Sequence, residues 1–301
     1  MSTATGSKTL VITGAASGFG LEFARLGASR GYNIVMADVE QGALDAAAAE
    51  ISATGVQVLA QRVDVSRHEQ IDALAAATKA RFGAPHWVFN NAGVGSGGLI
   101  WENTLKDWEW VMGVNVMGVV YGVKAFTPMM LERAKAEPDY RGCIVNTASM
   151  AGMLNAPTMG VYNVSKHAVV SLTETLYQDL KLVSDQVTAS VLCPYFIATG
   201  IAQSHRNRPA ELKNDEGPTL SQLVAQAQTS KAVTSGKVTA AMMAEMVFDA
   251  VDKGQFYIFS HPHALGNVAT RMSDITAVRN PTDPFAERPE ISAALKAKLR
   301  G

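Results

Sequence analysis

Residues 13–20 read Thr-Gly-Ala-Ala-Ser-Gly-Phe-Gly and join the first apolar run of the chain to a stretch with helical spacing. Gly14, Gly18 and Gly20 allow the backbone to turn sharply and to approach a diphosphate without an intervening Cβ. The free N–H groups of the helix that follows also favour an anion. The segment therefore predicts a dinucleotide-binding turn between a strand and a helix, although a glycine cluster alone also fits a structural turn.

Short apolar runs recur along the chain, and stretches with the apolar spacing of a helix separate them. The predicted strands are Lys8–Thr13, Asn33–Ala37, Val56–Val63, His86–Asn90, Gly142–Thr147, Val187–Cys193 and Gln255–Phe259. The predicted helices between them include Leu21–Arg30, Ala43–Ala53, His68–Phe82 and Val164–Leu182. Strands that are apolar throughout and linked by helices indicate a mostly parallel sheet covered on both faces. We therefore expect an α/β protein with a doubly wound, seven-stranded sheet.

Two stretches interrupt this alternation of strands and helices. Residues 198–237 are polar and rich in Gln, Asn and Pro, and residues 262–301 contain several prolines and no strand-like run. The sequence has no low-complexity tract and no repeat at a solenoid period. We expect a single domain over residues 1–301, with a variable substrate lobe at about 198–237 and a C-terminal tail at about 262–301.

Composition narrows the class of protein. The 26 basic and 27 acidic residues nearly cancel, which argues against a surface built to bind nucleic acid. The first residues lack the apolar stretch of a secretory signal, and the longest apolar run, residues 111–123, is too short to span a membrane. Cys143 and Cys193 lie inside predicted strands and fit a reduced core, not a disulfide or metal framework. We expect a cytoplasmic protein with no metal and no nucleic-acid or membrane partner.

An acidic residue at the end of the second strand indicates the cofactor. Asp38 lies at the distance from the glycine turn at which a carboxylate meets the adenosine ribose. There it would accept hydrogen bonds from both ribose hydroxyls and repel a 2′-phosphate, and no Arg or Lys directly follows it. NAD is therefore expected over NADP, although Asp38 also fits a turn. Asp64 and Val65 could hold the adenine edge, or Asp64 could serve as an ordinary N-cap.

Tyr162 and Lys166 stand four residues apart at the start of a predicted helix. This spacing places both side chains on one face, one turn apart. A nearby ammonium stabilises a phenolate, so we expect Lys166 to lower the pKa of Tyr162 from its ordinary value of about 10. Such a tyrosine can exchange a proton with an alcohol oxygen. The pair alone is common by chance, so it carries weight only with further motifs.

The further motifs are present, and together they resemble the classical short-chain dehydrogenase/reductase family, which has a Rossmann fold. The matching positions are residues 13–20, Asn90-Asn91-Ala92-Gly93, Asn115, Ser149, Tyr162 and Lys166. They occur in the family's order, and Ser149 precedes Tyr162 by 13 residues, as in the family pattern. The resemblance runs from about residue 8 to residue 200.

The resemblance implies a role for each matching residue. Tyr162 would donate a proton to a ketone or take one from an alcohol, and Lys166 would lower its pKa and hold the nicotinamide ribose. Ser149 would hydrogen-bond the reacting oxygen, and Asn115 would anchor a water that links Lys166 to solvent. Asn90 would steady the sheet. The implied cofactor contacts are Gly14, Ser17, Gly18, Phe19, Gly20, Asp38, Asp64, Val65, Asn91, Ala92, Gly93, Tyr162, Lys166, Pro194, Ile197 and Thr199.

The sequence departs from the family pattern after the sixth strand. Tyr195 stands where the family usually has a glycine next to Pro194, so a bulky ring replaces a bare backbone beside the nicotinamide site. It could contact substrate or simply cover the end of the sheet. The candidate substrate contacts are Ser149, Met150, Met159, Tyr195 and Phe196. This largely apolar set favours a hydrophobic or aromatic substrate, although methionines near a helix are more often core than pocket residues.

The resemblance also suggests a reaction and an assembly. We expect an NAD(P)-dependent oxidoreductase that interconverts a secondary alcohol and a ketone, and the tail is faintly similar to bacterial dehydrogenases of benzylic alcohols in aryl ethers. An NADPH-dependent 3-oxoacyl ketoreductase and a non-catalytic dinucleotide-binding regulator remain alternatives. Asp38 argues against the first, and the intact Ser149, Tyr162 and Lys166 argue against the second. A homodimer or homotetramer through the predicted helices Asp107–Lys135 and Tyr162–Val183 is implied.

Overall fold

The computed structural model describes residues 8–234 and 236–300, and at residue 234 the backbone only. The domain predicted over 1–301 thus includes residues 1–7, 235 and 301, which lie outside the described residues. Within these segments one parallel sheet has the order β3-β2-β1-β4-β5-β6-β7. Its strands are β1 (Thr9–Thr13), β2 (Asn33–Asp38), β3 (Val58–Arg62), β4 (Trp87–Asn90), β5 (Gly142–Thr147), β6 (Val187–Cys193) and β7 (Tyr257–Phe259). The predicted doubly wound sheet is confirmed.

Helices follow the strands as the apolar spacing predicts. They are α1 (Gly18–Ser29), α2 (Gln41–Ser52), α3 (His68–Phe82), α4 (Leu105–Met112), α5 (Gly118–Ala136), α6 (Gly160–Val183), α7 (Leu220–Thr234), α8 (Ala240–Asp252), α9 (Leu265–Thr276) and α10 (Pro289–Arg300). Several begin earlier than predicted. Because Gly18 and Gly160 are not apolar, the hydrophobic spacing does not detect the first turns of α1 and α6.

Alternate residues of each central strand face opposite layers of helices, as a sheet covered on both faces requires. In β1, Leu10 packs in one layer with Phe23 of α1 and Phe248 of α8. Val11 faces the other layer and packs with Phe126 of α5. All of these side chains are fully buried. The two apolar layers hold the strands in register, so the carboxyl ends of β1 to β6 meet at one edge of the sheet.

The helix that follows β4 is long and contains an irregular turn. A π-helical turn at Gly113–Met117 joins α4 to α5, so the helix is continuous over Leu105–Ala136. Length and composition alone would allow it to cross a membrane, with a mean hydropathy of 1.3 in its most apolar window. However, Val111, Phe126 and Met130 are fully buried against the sheet and neighbouring helices. The helix therefore forms part of the folded core.

The two segments that interrupted the sequence pattern contain helices. The lobe forms 3₁₀ turns at Gly200–Asn207 and Ala210–Leu212, followed by α7. The tail forms α9 and α10, and α10 packs against α7. Among the described residues the tail contributes no strand, as predicted. Its helices were not predicted, although the apolar residues of α9 recur with helical spacing.

Candidate active site

A cleft of about 480 Å³ lies over the carboxyl ends of the strands. It is centred where the strand order reverses, between the neighbouring strands β1 and β4. In doubly wound sheets this switch point is where ligands bind. Most of the predicted cofactor contacts line it, namely Gly14, Ser17, Gly18, Phe19, Asp38, Asp64, Val65, Asn91, Ala92, Gly93, Tyr162, Lys166, Pro194 and Thr199. Gly20 and Ile197 do not line the cleft.

The glycine turn leaves the space that a diphosphate needs. Gly14 and Gly18 have φ values of 65° and 54°, in the left-handed region that favours glycine. A Cβ on Gly14 would lie 2.9 Å from the Cα of Ala92, and one on Gly20 would lie 2.0 Å from the carbonyl oxygen of Gly14. Gly20 therefore serves the packing of α1 beneath the turn, whereas Gly14 and Gly18 line the open cradle. The residues present fit a bound dinucleotide.

Thr13 connects this turn to the segment after β4, a role that the sequence did not suggest. Its hydroxyl accepts hydrogen bonds from the backbone N–H groups of Asn91 (2.9 Å) and Ala92 (3.1 Å). The Asn91 amide donates to the carbonyl of Thr13 at 3.0 Å and accepts from the hydroxyl of Thr147 at 3.3 Å. These bonds fix the glycine turn after β1 to the segment after β4, and the two segments form opposite walls of the cleft.

Asn90 lies one residue earlier and is buried between strands. Its amide donates to Asn146 at 2.8 Å, and the Asn146 amide donates to Thr173 of α6 at 3.0 Å. This ladder crosses β4, β5 and α6, consistent with the expected role of Asn90 in steadying the sheet. A Cβ on Gly122 would lie 2.0 Å from the Asn90 Oδ1 atom, so glycine is required there for the amide to fit.

Asp38 ends β2 at the rim of the cleft. Its carboxylate accepts from the backbone N–H groups of Ala16 and Glu40, each at 3.0 Å. Arg62 of β3 is paired with Asp38 in the sheet register and also lines the cleft, with its Nε atom donating to the carbonyl of Val39. A cationic side chain therefore lies near this end of the cleft. Because Arg62 belongs to the neighbouring strand, the residues that directly follow Asp38 in the sequence do not reveal it.

Asp64 forms a local turn at the rim. Its Oδ1 atom accepts from the backbone N–H and the hydroxyl of Ser66, at 2.9 and 2.7 Å. The helix α3 begins at His68 with Arg67 at its N-cap, so Asp64 is not the N-cap that one interpretation proposed. Asp64 and Val65 both face the cleft, and an adenine contact remains a prediction.

Tyr162 and Lys166 lie one turn apart on α6 with the spacing that the sequence predicted. The Lys166 Nζ atom is 5.7 Å from the centre of the Tyr162 ring and donates to the carbonyl of Thr147 at 2.9 Å. Both side chains are buried. They are exposed only to the cleft, so a group bound there would meet both.

The pKa of Tyr162 is higher than expected when only the surrounding protein groups are considered. Burial raises the pKa of Tyr162 to about 12, and the hydrogen bond with Ser149 offsets only part of that rise. Burial also lowers the pKa of Lys166 to about 8. The pKa of Tyr162 is therefore raised and not lowered as expected, because desolvation penalises the charged form of each group. In the protein alone, Tyr162 is a neutral phenol near neutral pH.

Asn115 lies in the π-helical turn, which displaces its side chain from the regular helix face. It is fully buried; its amide donates to the carbonyl of Val94 and to Ser165, each at 3.0 Å, and its oxygen accepts from the N–H of Val94 at 2.8 Å. A Cβ on Gly93 would lie 3.4 Å from the Asn115 oxygen and 3.5 Å from the Lys166 Nζ atom. Gly93 thus leaves a gap between them, and the water anchored by Asn115 stays a prediction.

The candidate substrate contacts lie in different environments. Ser149 accepts from the N–H of Ala151 at 3.1 Å and reaches the carbonyl of Pro194 at 3.4 Å. Met159 and Phe196 are partly buried, and Tyr195 is 39% exposed with its ring 4.4 Å from that of Phe196. Met150 is in the core with Val119 and Val169, so the structure does not support a substrate contact for it.

The lobe contributes cleft residues that the motifs did not identify. Those after β6 are Gly200, Ile201, Ser204, Arg206, Asn207, Pro209 and Leu212. The helix α4 adds Glu109 and Trp110. The only sequence signal for them was the polar stretch that leaves β6, because residues in irregular turns have no spacing that marks which side chains face inward.

Comparisons with known proteins agree with this geometry. A family model described as short chain dehydrogenase matches residues 8–210. A short chain dehydrogenase/reductase from Burkholderia phymatum, solved in complex with NAD, is 51% identical, with a TM-score of 0.90 over 93% of this chain and 98% of that one. A CLA biosynthesis dehydrogenase/reductase from Lactiplantibacillus plantarum is 34% identical over 85% of this chain and 88% of its own length.

A C alpha-dehydrogenase from Sphingobium sp. is 35% identical over 66% of this chain and 64% of its own length. The expected similarity to a bacterial dehydrogenase of this family is confirmed for the chain. The family match extends from β1 through the start of the lobe and includes every strand that forms the cleft. On the sheet order, the glycine cradle and this match, the chain belongs to the short-chain dehydrogenase family.

Proposed function

We propose that this protein is an NAD-dependent oxidoreductase that interconverts a secondary alcohol and a ketone, with a hydrophobic or aromatic substrate. The observation that carries the proposal is that Tyr162 and Lys166 line the same cleft as the glycine cradle. A proton-transfer group and a dinucleotide site in one cleft are what hydride transfer at a carbonyl carbon requires. When bound, the nicotinamide supplies or accepts the hydride.

The residues around the cleft transfer the proton, bind the reacting oxygen and position these groups. As a neutral phenol, Tyr162 donates a proton to the carbonyl oxygen during reduction, and Ser149 hydrogen-bonds the same oxygen. In the oxidative direction Tyr162 acts as a base, and the Lys166 ammonium beside its ring favours the phenolate. Thr147 orients that ammonium through its carbonyl. Asn115 holds Val94 and α6 at the positions that keep the gap beside Gly93 open.

The choice of cofactor rests on Asp38. Its charge at the ribose end of the cleft supports NAD, and the similar Burkholderia enzyme was solved with NAD. The nearby Arg62 supports the second candidate, an NADPH-dependent ketoreductase, because a guanidinium can bind a 2′-phosphate. Steady-state kinetics with both reduced cofactors distinguishes the two.

The test of the proposed reaction is the variant Tyr162→Phe. We expect it to bind NADH as the wild type does and to lose about 100-fold or more in kcat, because it lacks the transferable proton. Tyr257→Phe is the matched control, since Tyr257 lies on β7 with its hydroxyl bonded to Glu174. The substrate is sought by following NADH formation with aryl, steroid and aliphatic secondary alcohols. Full activity of Tyr162→Phe would refute the proposed proton transfer.

We further propose that the chain acts as a single cytoplasmic domain and assembles into a homodimer or homotetramer. The π-helical turn before α5 and the helix α6 each keep apolar side chains partly exposed, among them Met117 and Val164. Burial of such side chains against a second copy would favour association. Light scattering after gel filtration measures the mass, and Val164→Glu should shift it towards the monomer. A monomeric wild type would contradict this proposal.

A further inference from the structure

Part of the lobe crosses the cleft from one rim to the other. Residues 206–212, here called the strap, lie between the rim after β2 and the helix α4, and four of them face the cleft. Ion pairs attach the strap on both sides. These two attachments differ in burial, and a third, exposed pair joins Glu211 to Arg67 before α3 at 3.3 Å.

The attachment at the rim after β2 is open to solvent. The Glu40 Oε1 atom accepts from Arg206 at 2.6 and 3.1 Å and from the amide of Asn207 at 2.8 Å. The side chains of Arg206 and Glu40 are 38% and 34% exposed. The backbone N–H of Glu40 is in turn held by the Asp38 carboxylate at 3.0 Å. The residue proposed to bind the ribose thus also positions this attachment.

The attachment at α4 is buried. Arg208 donates to Asp107 at 2.6 Å and to the carbonyl of Leu212 at 2.6 Å, and its guanidinium lies 5.1 Å from the centre of the Trp110 ring. The side chains of Arg208 and Asp107 are only 12% and 3% exposed. Asp107 also accepts from the amide of Asn214 at 3.1 Å. Breaking this buried pair would leave a charge unpaired, which is strongly unfavourable.

An exposed ion pair is weak and is screened by salt, whereas a buried one with several hydrogen bonds is not easily broken. The strap therefore has one persistent attachment and two exposed ones that open readily, the pair of Arg206 with Glu40 and the longer pair of Glu211 with Arg67. We propose that Glu40 is a positioning residue for the cofactor: through Arg206 and Asn207 it holds the strap closed over the adenosine half of the cleft, and this contact must open for the cofactor to leave. The inference rests on the proposed function, which places a dinucleotide there.

The experiment measures NADH release by stopped flow, with energy transfer from tryptophan as the signal. We expect Glu40→Gln and Arg206→Gln each to release NADH about fivefold faster at low salt. The double variant should release NADH no faster than either single variant, because both remove the same contact. Arg206→Lys keeps the charge and should restore most of the slow release. Added salt should accelerate release from the wild type more than from the Gln variants, which keep only the longer exposed pair of Glu211 with Arg67.

The matched control is Arg25→Gln, which breaks ion pairs of equal length with Glu22 and Glu50 on the outer surface, away from the strap. It should leave NADH release unchanged. A structural role for Glu40 alone would lower the melting temperature without a salt-dependent release rate. Release rates of Glu40→Gln and Arg206→Gln equal to the wild type, or additive effects in the double variant, would overturn the proposal alone. Absence of dinucleotide binding by the wild type would overturn the proposed function as well.

Discussion

The carboxylate of Asp38 accepts a hydrogen bond from the backbone N–H of Ala16 at 3.0 Å, which ties the end of β2 to the glycine turn. Its other oxygen accepts from the N–H of Glu40. Each carboxylate oxygen has a further lone pair, so Asp38 can still accept from a ribose hydroxyl at the cleft. The same side chain thus shapes the turn and sets the charge at the end of the cleft where we propose that the ribose binds.

The two roles of Asp38 can be separated by substitution. Asp38→Asn removes the charge but keeps an oxygen that can accept from Ala16, so we expect the preference for NADH over NADPH to fall about tenfold, or ~1.4 kcal/mol. Asp38→Ala should lose this preference too and also lower the free energy of unfolding by about 1–3 kcal/mol, because two backbone N–H groups lose their partner. The ratio of kcat/KM values and urea unfolding report the two effects. An unchanged cofactor ratio in Asp38→Asn would contradict the charge argument.

The buried charge of Lys166 should lower the free energy of unfolding of the protein. Burial lowers its pKa from 10.5 to about 8, which at 1.36 kcal/mol per pKa unit corresponds to roughly 3 kcal/mol. Below pH 8 the folded and unfolded states both carry the charge, and the full cost is present. Between pH 8 and 10.5 the unfolded state binds more protons, so stability rises with pH.

We therefore expect Lys166→Met to be inactive yet more stable than the wild type by about 2 kcal/mol at pH 7, since the lost bond to Thr147 offsets about 1 kcal/mol of the gain. The advantage should shrink as pH rises from 8 towards 10. Urea unfolding of both proteins across this range measures it. A variant less stable than the wild type at pH 7 would show that the buried charge is not costly.

The strands and helices were predictable from the sequence where their side chains repeat at the regular spacing of a strand or a helix. Gly142–Thr147 and Val187–Cys193 have the predicted bounds, since a buried strand is apolar along its whole length. Tyr162 and Lys166 meet because a helix fixes the distance between residues four apart. The position of Asp38 was predictable because the last residue of a parallel strand lies at the carboxyl edge of the sheet, beside the cleft.

The parts that depend on contacts between distant segments were not predictable. Arg208 and Asp107 are 101 residues apart and meet inside the lobe, and nothing in their local sequence marks the pair. The raised pKa of Tyr162 likewise follows from burial, which the spacing of Tyr162 and Lys166 does not report. Met150 was predicted to face the pocket because it follows the end of a strand. It begins the short 3₁₀ turn Met150–Gly152, and its side chain lies in the core.

His86 should make the fold sensitive to acid. It is buried before β4, where its Nδ1 atom accepts from the N–H of Thr9 at 3.2 Å, and burial lowers its pKa from 6.5 to about 4. Between pH 6.5 and 4 the unfolded state binds a proton that the folded state excludes. Stability contributed by the neutral ring is therefore lost as pH falls through this window, by up to roughly 3 kcal/mol.

The variant His86→Gln keeps an acceptor for Thr9 but does not titrate, so its unfolding free energy should fall less between pH 6.5 and 4.5 than that of the wild type. His68→Gln is the control, because the His68 side chain is 57% exposed on α3. Urea unfolding at several pH values gives the slopes. Parallel slopes for His86→Gln and the wild type would exclude His86 as the source of acid sensitivity.

Tyr195 provides the sharpest test of the substrate class. Its backbone N–H donates to the hydroxyl of Ser260 at 2.9 Å, which fixes the turn without help from the ring. Tyr195 is 39% exposed, and the centre of its ring lies 4.4 Å from that of Phe196 and 5.8 Å from that of His261. An aromatic surface that the turn does not need is available to pack on a substrate ring, and such packing contributes about 1 kcal/mol.

We expect Tyr195→Gly, which restores the residue usual in the family, to lower kcat/KM for aryl secondary alcohols about tenfold relative to small aliphatic ones. Tyr195→Phe keeps the ring and should retain the aryl preference. Because the backbone bond to Ser260 needs no side chain, the turn and NADH binding should persist in both variants. Relative kcat/KM values over a matched series of aryl and alkyl alcohols provide the measurement. An equal loss for both alcohol classes in Tyr195→Gly would mean that the ring supports the turn and does not select the substrate.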